Sequence, residues 1–238
     1  MRETEKDRDF LAQIEEFFED KVEPRFKNGF REVEKLLKKE IRLKKLKKPR
    51  LLEYDPDSPF SYLSAFLRDR AVASVAPSTK YLINRVVEAM ALGGARTVVE
   101  YGPAEGVMTQ RILSGLKADG VLVAVERNEN FVKTLRKIGD GRLRVVHEDV
   151  QDIGRILKEQ GLASVDVVVS GIPFSLFDSS ERRRLLAKTS SLLSPRGRFV
   201  AYQFTTHLIP LLKRYFRKVD TQFEIRNLPP HFIFTAHV

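Results

Sequence analysis

The sequence contains no cysteine in its 238 residues. A disulfide framework and a thiolate metal site are therefore excluded. Histidines are also few and scattered, and His147, His207, His231 and His237 do not have the spacing of metal ligands. We therefore expect no metal in this protein.

Long apolar runs are missing as well. No run approaches the roughly 20 residues that a helix needs to span a bilayer, and the start, MRETEKDRDF, carries too much charge for a signal peptide. We expect a cytoplasmic protein. Apolar residues still make up 42% of the chain, enough to bury one core. Strand and helix patterns alternate from 96 to 217, which predicts one α/β domain.

Positive charge is in excess and is concentrated in one segment. The formal net charge is +10, and residues 31–50 contain ten Lys or Arg against three Glu. The apolar residues of this segment fall near one helical stripe: Val33, Leu36, Leu37, Ile41 and Leu43. The pattern predicts a basic amphipathic helix. Such a helix would bind an anionic surface, either lipid headgroups or RNA phosphates, or pack its stripe on the main domain.

Residues 1–30 differ, with nine acidic against six basic residues. The residues at helical spacing there are Phe10, Leu11, Ile14, Phe17, Phe18 and Val22. Pro24 and the Asn28-Gly29 pair separate this amphipathic helix from the basic one. We therefore divide the chain into a helical extension over 1–70 and an α/β domain over 71–238.

The stretch VVEYGPAEGVMTQRIL at 98–113 carries the strongest functional signal. A buried strand extends as far as Glu100. Gly102 and Gly106 then permit a sharp turn, and a helical pattern begins at Val107. This combination is typical of a nucleotide-type cofactor site. The loop lacks the third glycine of the dinucleotide fingerprint. An acidic residue beside the turn instead suits S-adenosylmethionine, whose ammonium, sulfonium and ribose hydroxyls favour acceptors.

Two further acidic residues lie where such a cofactor needs acceptors. The apolar run VLVAVE at 121–126 ends in Glu126, whose two oxygens can accept from both ribose hydroxyls. The segment LRVVHEDV at 143–150 contains Asp149. This carboxylate could accept from the adenine amino group, cap the helix that starts near Gln151, or do both.

The second half of the chain predicts the remaining strands. VDVVVSGIPFSLF at 165–177 is a buried strand that enters a Gly-Ile-Pro-Phe turn, and the carboxyl edge of a parallel sheet faces the ligand crevice. The other predicted elements are a helix over 178–193, a turn over 195–197, a strand over 198–205, a helix over 207–217, and strands over 219–227 and 231–238. The tight Leu-Pro-Pro connection at 228–230 would place an antiparallel strand at the sheet edge.

Taken together, these segments resemble the class I S-adenosylmethionine-dependent methyltransferases, and several resemble the bacterial phosphatidylethanolamine N-methyltransferase family. The similar segments are SVAPSTKYL at 74–82, EYGPAEGVMT at 100–109, VSGIPFSLF at 169–177, AYQFT at 201–205 and RNLPPHFIF at 226–234. The resemblance implies a seven-stranded Rossmann-like α/β sheet flanked by helices, with an amino-terminal helical extension. It also implies methylation of the phosphatidylethanolamine headgroup by a peripheral membrane protein that reaches anionic membranes through the basic helix at 31–50.

The resemblance implies roles for individual residues as well. Cofactor contacts are expected at Glu100, Tyr101, Gly102, Pro103, Ala104, Gly106, Glu126, Arg127, Asp149, Val150 and Ser170. Substrate contacts are expected at Gly171, Ile172, Pro173, Phe174 and Phe177. Ala104 stands where the family usually has a glycine, so the backbone at this position has to carry a methyl group.

Methyl transfer from a sulfonium requires an uncharged nitrogen aligned with an activated methyl group, and it requires no catalytic triad. The amine must first lose a proton, and the candidate acceptors are Tyr202, His207 and Asp178. Aromatic residues could hold methylated ammonium products by cation–π attraction or simply pack in the core. These aromatic residues are Phe174, Phe177, Tyr202 and Phe204.

Other functions fit the same scaffold. An RNA adenine N6-dimethyltransferase shares the basic surface, but this class normally has Asn or Asp two residues before the turn proline, where Gly171 stands here. A methyltransferase of small-molecule or protein amines is a second alternative. A third is a non-catalytic lipid- or RNA-binding protein on the same scaffold, against which the intact acidic residues at 100, 126 and 149 argue.

Overall fold

The computed structural model describes residues 78–174, 177–203, 206–227 and 230–238. The predictions for the extension at 1–70, including the basic helix at 31–50, and for Phe204 therefore lie outside the described residues. Within the described part, Ser78–Glu224 and His231–Val238 form one compact unit. That unit contains the whole sheet and the site discussed below.

Helices and strands alternate along this unit. In chain order the elements are α1 (Lys80–Met90), β1 (Thr97–Tyr101), α2 (Val107–Gly115), β2 (Val121–Glu126), α3 (Glu129–Arg136), β3 (Leu143–His147), α4 (Ile153–Glu159), β4 (Val165–Ser170), α5 (Ser179–Leu192), β5 (Leu193–Gln203), α6 (Ile209–Tyr215), β6 (Lys218–Glu224) and β7 (His231–His237). Among the described helices, none is both long and apolar enough to cross a bilayer.

Side-chain caps fix where several helices begin. The Asn128 side chain accepts from the backbone N–H groups of Asn130 and Phe131 at the start of α3. Asp178 forms a capping box with Glu181 at the start of α5. Each cap satisfies N–H groups that the first turn of a helix leaves without an intrahelical partner. These two helices therefore begin directly after the loops that follow β2 and β4.

The seven strands form one sheet in the order β3-β2-β1-β4-β5-β7-β6. The first five strands in this order, namely β3, β2, β1, β4 and β5, are parallel to one another. Val99 of β1 lies between Val123 of β2 and Val168 of β4. The chain runs outward from β1 to β3 and then returns to the other side of β1 with β4. In sheets of this kind a ligand binds at the carboxyl ends of the strands, where the order reverses. The predicted seven-stranded Rossmann-like sheet is confirmed, and it directs attention to the ends of β1 and β4.

The predicted antiparallel pairing at the sheet edge is confirmed, because the edge strand β6 pairs antiparallel with β7. The antiparallel strand is β7, which lies between β5 and β6, so that β6 forms the edge. Burial explains the order, because the five central residues of β7 are buried whereas most residues of β6 are exposed or half-buried. The more apolar strand takes the position that is covered on both sides.

The predicted turn at 195–197 interrupts a strand rather than preceding one. These residues belong to β5, which begins at Leu193. Strand pairing passes from Val165 opposite Leu193 directly to Val167 opposite Arg198. The extra residues, which include the proline and the glycine, therefore form an irregular bulge in the strand.

Asp166 lies near the amino-terminal ends of the parallel strands, and its hydrogen bonds connect three of these strands. Its Oδ2 accepts from the backbone N–H groups of Arg96 at 2.9 Å and Thr97 at 3.1 Å, and its Oδ1 accepts from the Ser194 hydroxyl at 3.1 Å. Partial burial raises the pKa of Asp166, but these donors outweigh it and hold the pKa below its ordinary value. The start of β1 is thereby anchored to β4 and β5.

Candidate active site at the carboxyl ends of β1 and β4

The glycine turn after β1 has an unusual backbone. Three of its residues have left-handed φ angles, which are +66° at Gly102, +49° at Ala104 and +85° at Gly106. Glycine is required at 102 for a second reason, because a β carbon there would lie 2.5 Å from Cγ1 of Ile172 in the turn after β4. The turns after β1 and β4 therefore approach each other closely, as the switch point of the sheet predicts.

Ala104 is the one non-glycine residue of this turn with a positive φ. An L-residue in the left-handed region costs roughly 1–2 kcal/mol, because its β carbon crowds the following carbonyl. The methyl group expected from the sequence is therefore held at some cost in stability. The backbone N–H of Ala104 offsets part of this cost by donating to Oε2 of Glu126 at 3.1 Å.

Glu100 is a buried carboxyl group near the end of β1, with 3% of its surface exposed. The hydroxyl of Thr109 in α2 donates to its Oε2 at 2.7 Å. Burial raises the pKa of Glu100 to about 7, against the lowering effect of the Thr109 bond and with a further rise from the charge of Glu126. A ligand cation placed beside Glu100 would therefore return it to the carboxylate form.

Glu126 ends β2 and links two loops. Its Oε2 accepts from the N–H of Ala104, and its Oε1 accepts from the N–H of Asn128 at 2.8 Å. The residue is 7% exposed. Since a carboxylate oxygen has two lone pairs, each oxygen can still accept one further hydrogen bond. Glu126 therefore offers the acceptors that two neighbouring hydroxyls of a ribose need.

Asp149 and Gln151 follow β3. Asp149 accepts from the N–H of Gln151 at 2.9 Å and caps the short helical turn Val150–Asp152, as the sequence predicts. The Nε2 atom of Gln151 is buried and has no hydrogen-bond partner in the described parts of the chain. An acceptor and a spare donor thus lie two residues apart, which matches an adenine edge with its amino group and ring nitrogens. Sequence reasoning named Asp149 and missed Gln151.

These residues fit S-adenosylmethionine. Glu100 supplies a buried carboxyl group for a cation, Glu126 supplies acceptors for a ribose, and Gln151 supplies a buried donor that lacks an acceptor. Each of the three lies at or just beyond the carboxyl end of a parallel strand. The order β1, β2, β3 would therefore present groups for the methionine part, the ribose and the base in succession.

Other predicted cofactor residues have structural roles. The Tyr101 ring is fully buried, and its hydroxyl lies 3.0 Å from the Thr189 hydroxyl of α5, so this side chain packs between the sheet and α5. Ser170 is also fully buried, and its hydroxyl accepts from the N–H of Ile172 at 3.3 Å. Pro103 and Val150 are buried, and Arg127 is exposed. Cofactor contacts at these positions stay predictions.

Gly171, directly after β4, lies against the Tyr202 hydroxyl. A β carbon at Gly171 would overlap that hydroxyl and would lie 2.8 Å from Cζ of Tyr202. Burial, followed by the charge of Glu100, raises the pKa of Tyr202, so its phenol stays neutral at physiological pH. The structure therefore brings together a predicted substrate residue, a predicted proton acceptor and a predicted cofactor residue.

The remaining substrate-side residues include a buried aromatic group. The Phe174 ring is 2% exposed and makes edge-to-face contacts with Phe177 at 5.8 Å and Phe199 at 6.1 Å between ring centroids. This packing fits the core interpretation of Phe174 better than a role in holding ammonium products. Ile172 covers Gly102, and Pro173 is exposed.

Two other predicted proton acceptors lie at helix starts. Asp178 is exposed and caps α5, and its pKa is lowered by the N–H of Glu181 and by the Ser180 hydroxyl. A lowered pKa does not favour a base at neutral pH. His207 is exposed just before α6. A proton-accepting role for either residue stays a prediction.

Sequence reasoning missed Gln203 at the end of β5. Its Oε1 accepts from the N–H of Phe174 at 3.4 Å, while its Nε2 is buried without a partner among the described residues. A polar residue directly after the run FVAY at 199–202 was the available signal. Thr109 was also missed, since an ordinary helical threonine does not reveal its partner.

Comparisons with known proteins agree with this geometry. The family model of ribosomal RNA adenine dimethylase matches residues 61–157. The chain is also 33% identical over 175 residues to an ornithine lipid N-methyltransferase of Singulisphaera acidiphila, which covers 72% of this chain and 91% of that protein.

Solved structures share the fold. The N-methyltransferase NodS from Bradyrhizobium japonicum has a TM-score of 0.54 and 12% identity, over 66% of this chain and 94% of that one. The 1,6-didemethyltoxoflavin-N1-methyltransferase of Burkholderia thailandensis has a TM-score of 0.53 and 20% identity, over 75% and 85% of the two chains. The sheet order, the acidic residues at or near the ends of its first three strands and these similarities lead to one assignment. This protein is a class I S-adenosylmethionine-dependent methyltransferase, and it belongs to the same family as the ornithine lipid N-methyltransferase.

Proposed function

We propose that this protein transfers a methyl group to the primary amine of a membrane aminolipid, with phosphatidylethanolamine as the expected acceptor. The observation that carries the proposal is the contact between Gly171 and the Tyr202 hydroxyl at the end of β4. This contact leaves the acceptor side with a neutral hydroxyl in place of a side-chain amide or carboxylate. The similarity to an ornithine lipid N-methyltransferase supports an amine on a lipid.

A simple amine needs less recognition than a nucleobase. An enzyme that methylates adenine has to flip the base and hold its amino group and ring edge. At Gly171 no side chain is present to accept from such an amino group, and the Tyr202 hydroxyl fills the space where one would begin. One phenol oxygen is sufficient to accept a hydrogen bond from an aliphatic amine and to orient its lone pair.

The residues of this chain would act mainly by positioning and by charge. When bound, S-adenosylmethionine supplies an activated methyl group. Tyr202 remains a neutral phenol because its pKa is raised, so it accepts from an amine N–H through a lone pair. Glu100 lies close enough to raise that pKa by its charge, and its carboxylate would stabilise positive charge in the crevice. Desolvation in the crevice would favour the uncharged amine that attacks the methyl group.

Access to a lipid requires contact with the membrane, which we assign to the basic segment 31–50. This segment lies outside the described residues, so the assignment rests on its charge and apolar stripe. Changing Lys44, Lys45, Lys47 and Lys48 to Glu in the full chain should abolish flotation with anionic vesicles. Unchanged flotation of this variant would contradict the membrane role of the segment.

Labelled S-adenosylmethionine tests the reaction directly. The protein should transfer label to vesicles that contain phosphatidylethanolamine and leave unmodified ribosomal RNA unlabelled. Vesicles with an ornithine lipid form a third arm, since the relative is an ornithine lipid N-methyltransferase. Glu126→Gln should lose most of the activity because it weakens ribose binding, whereas Glu129→Gln, at an exposed residue of α3, should not. Label only on RNA, or on none of the three, would contradict the proposal.

RNA adenine methylation is the second candidate function, because the adenine dimethylase family model matches 61–157. That match ends before β4 begins at Val165. It therefore covers the side of the sheet with the cofactor residues and does not include the turn at 171–174. The RNA arm of the labelling experiment decides between the two acceptors.

A further inference from the structure

Gln203 is a buried amide at the carboxyl edge of the sheet. Pairing between β4 and β5 ends with Ser170 opposite Ala201, and Gln203 lies two residues further along β5. It is 8% exposed and pairs with Phe232 of β7. A polar side chain thus closes a strand at the edge where the acceptor has to enter.

The orientation of this amide is set by one hydrogen bond. Oε1 of Gln203 accepts from the backbone N–H of Phe174, the last described residue of the turn after β4. Its NH₂ group then faces surroundings that, in the described parts of the chain, offer it no acceptor. A buried donor without an acceptor is unfavourable and is uncommon in folded proteins. The residue therefore has an unused capacity to donate.

Three features of the amide favour an oxyanion as its partner. The NH₂ group is a donor only, and the lone pair of the substrate amine is needed for the attack on the methyl group, so the donor suits a separate acceptor atom. It is buried, and hydrogen bonds to charged groups are stronger away from water. The bond that holds the amide through Oε1 is 3.4 Å long, beyond the usual range, so the amide can reorient its donor toward a ligand at little cost.

We infer that Gln203 donates to the oxyanion of the acceptor headgroup and selects amines that carry one. The inference rests on the proposed function and deepens it. A phosphodiester and an amino-acid carboxylate both present such an oxyanion near a primary amine. Gln203 would therefore determine specificity for the headgroup, whereas Tyr202 would contact the reacting nitrogen.

The test compares Gln203→Met and Gln203→Glu in the full chain with three acceptors. The acceptors are vesicles with phosphatidylethanolamine, vesicles with an ornithine lipid, and vesicles with a long-chain primary alkylamine that has no oxyanion. We expect Gln203→Met to raise KM for the oxyanion lipids by about 10- to 100-fold, with a smaller change in kcat. Gln203→Glu should raise it further, because it replaces a donor with a negative charge. Neither variant should change KM for the alkylamine by more than about twofold.

Matched controls separate binding from folding. Gln222→Met, on an exposed residue of β6, should leave all three acceptors unchanged. Calorimetric binding of S-adenosylmethionine should be the same in every variant. If Gln203→Met does not fold, Gln203→Asn keeps the donor but withdraws it by one methylene, and it should raise KM for the oxyanion lipids alone.

The outcomes distinguish the two proposals. The wild-type protein could label an aminolipid while Gln203→Met raises KM equally for all three acceptors or leaves KM unchanged. That result would overturn the role of Gln203 and leave the proposed function standing. Loss for one oxyanion lipid only identifies which oxyanion the amide contacts and supports the inference. No label on any acceptor from the wild-type protein would overturn the proposed function together with the inference.

Discussion

The Thr109 hydroxyl donates a hydrogen bond of 2.7 Å to the Glu100 carboxyl group, where α2 passes the end of β1. Burial raises the pKa of Glu100 to about 7 in spite of this bond. A group that would be fully ionised in water at pH 7 is therefore close to half-protonated in the free protein. Two predictions follow from this pair, one for stability and one for cofactor binding.

The first concerns Glu100→Gln and the free energy of unfolding. The folded pKa of about 7 lies above the ordinary value of 4.5, so the folded state holds the extra proton between these values. The stabilising contribution of neutral Glu100 is therefore complete below about pH 4.5 and is lost as pH rises through 7. We expect Glu100→Gln to raise the free energy of unfolding by about 1–3 kcal/mol at pH 8 and to change it little at pH 4.5.

Urea unfolding at the two pH values measures this difference. Glu105→Gln serves as the control, because Glu105 is an exposed carboxylate in the same turn and its substitution should change the free energy of unfolding little. An equal effect of Glu100→Gln at both pH values would show that ionisation of Glu100 does not contribute to stability.

The second prediction concerns the affinity for S-adenosylmethionine. If the cofactor places a cation near Glu100, binding favours the carboxylate and releases a proton. Affinity should then rise as pH increases from 6 to 8, and Glu100→Gln should abolish the rise and weaken binding about tenfold or more at pH 8. Calorimetry in buffers of different ionisation enthalpy counts the released protons. A pH-independent affinity would contradict the role of Glu100 as the acceptor for the cation.

Ala104→Gly should stabilise the protein. The φ angle of +49° at Ala104 is left-handed, and glycine removes the crowding of the β carbon at the expense of a more flexible unfolded chain. We expect a net gain of up to about 1 kcal/mol in the free energy of unfolding. Ala91→Gly is a matched control, since Ala91 has a φ of +48° at the end of α1, before β1 begins. Both variants should stabilise, and only Ala104→Gly should alter cofactor affinity.

Gly171→Ala should reduce methyl transfer without preventing cofactor binding. A β carbon at position 171 overlaps the Tyr202 hydroxyl, so the tyrosine ring has to move. We expect kcat to fall about 10- to 100-fold, because a displacement of about 1 Å is enough to misalign reacting groups. Gly141→Ala is the control, since a β carbon there meets nothing within 4 Å. If Gly171→Ala retains full activity, the position of the Tyr202 hydroxyl is not important for the reaction.

The local parts of the fold could be predicted from the sequence. Glu100, Gly102 and Gly106 were placed correctly at the boundary of β1 and α2, because the apolar run and the glycines report on their own backbone. The cap at Asp149 was also found, since an N-cap depends on residues next to it in the chain. Such signals lie within a few residues and do not depend on the rest of the fold.

Contacts between distant segments could not be predicted in this way. Gly171 looked like a turn residue, yet it is also required to be small by Tyr202, 31 positions later in the sequence. The order of β6 and β7 could not be predicted because it depends on which strand is covered on both sides, and that comparison involves the whole sheet. Gln203 was overlooked because the sequence does not show that its side-chain NH₂ group lacks a hydrogen-bond acceptor among the described residues of the fold.

Glu126 already holds the loops after β1 and β2 together through the N–H groups of Ala104 and Asn128. Little ordering is left to take place when a nucleoside enters, so the crevice should admit ligands with almost no rearrangement. The demethylated product of the donor differs from the donor only near the sulfur, and Glu126 would bind its ribose equally well. The by-product should therefore compete with the donor for the crevice and inhibit the enzyme as it accumulates.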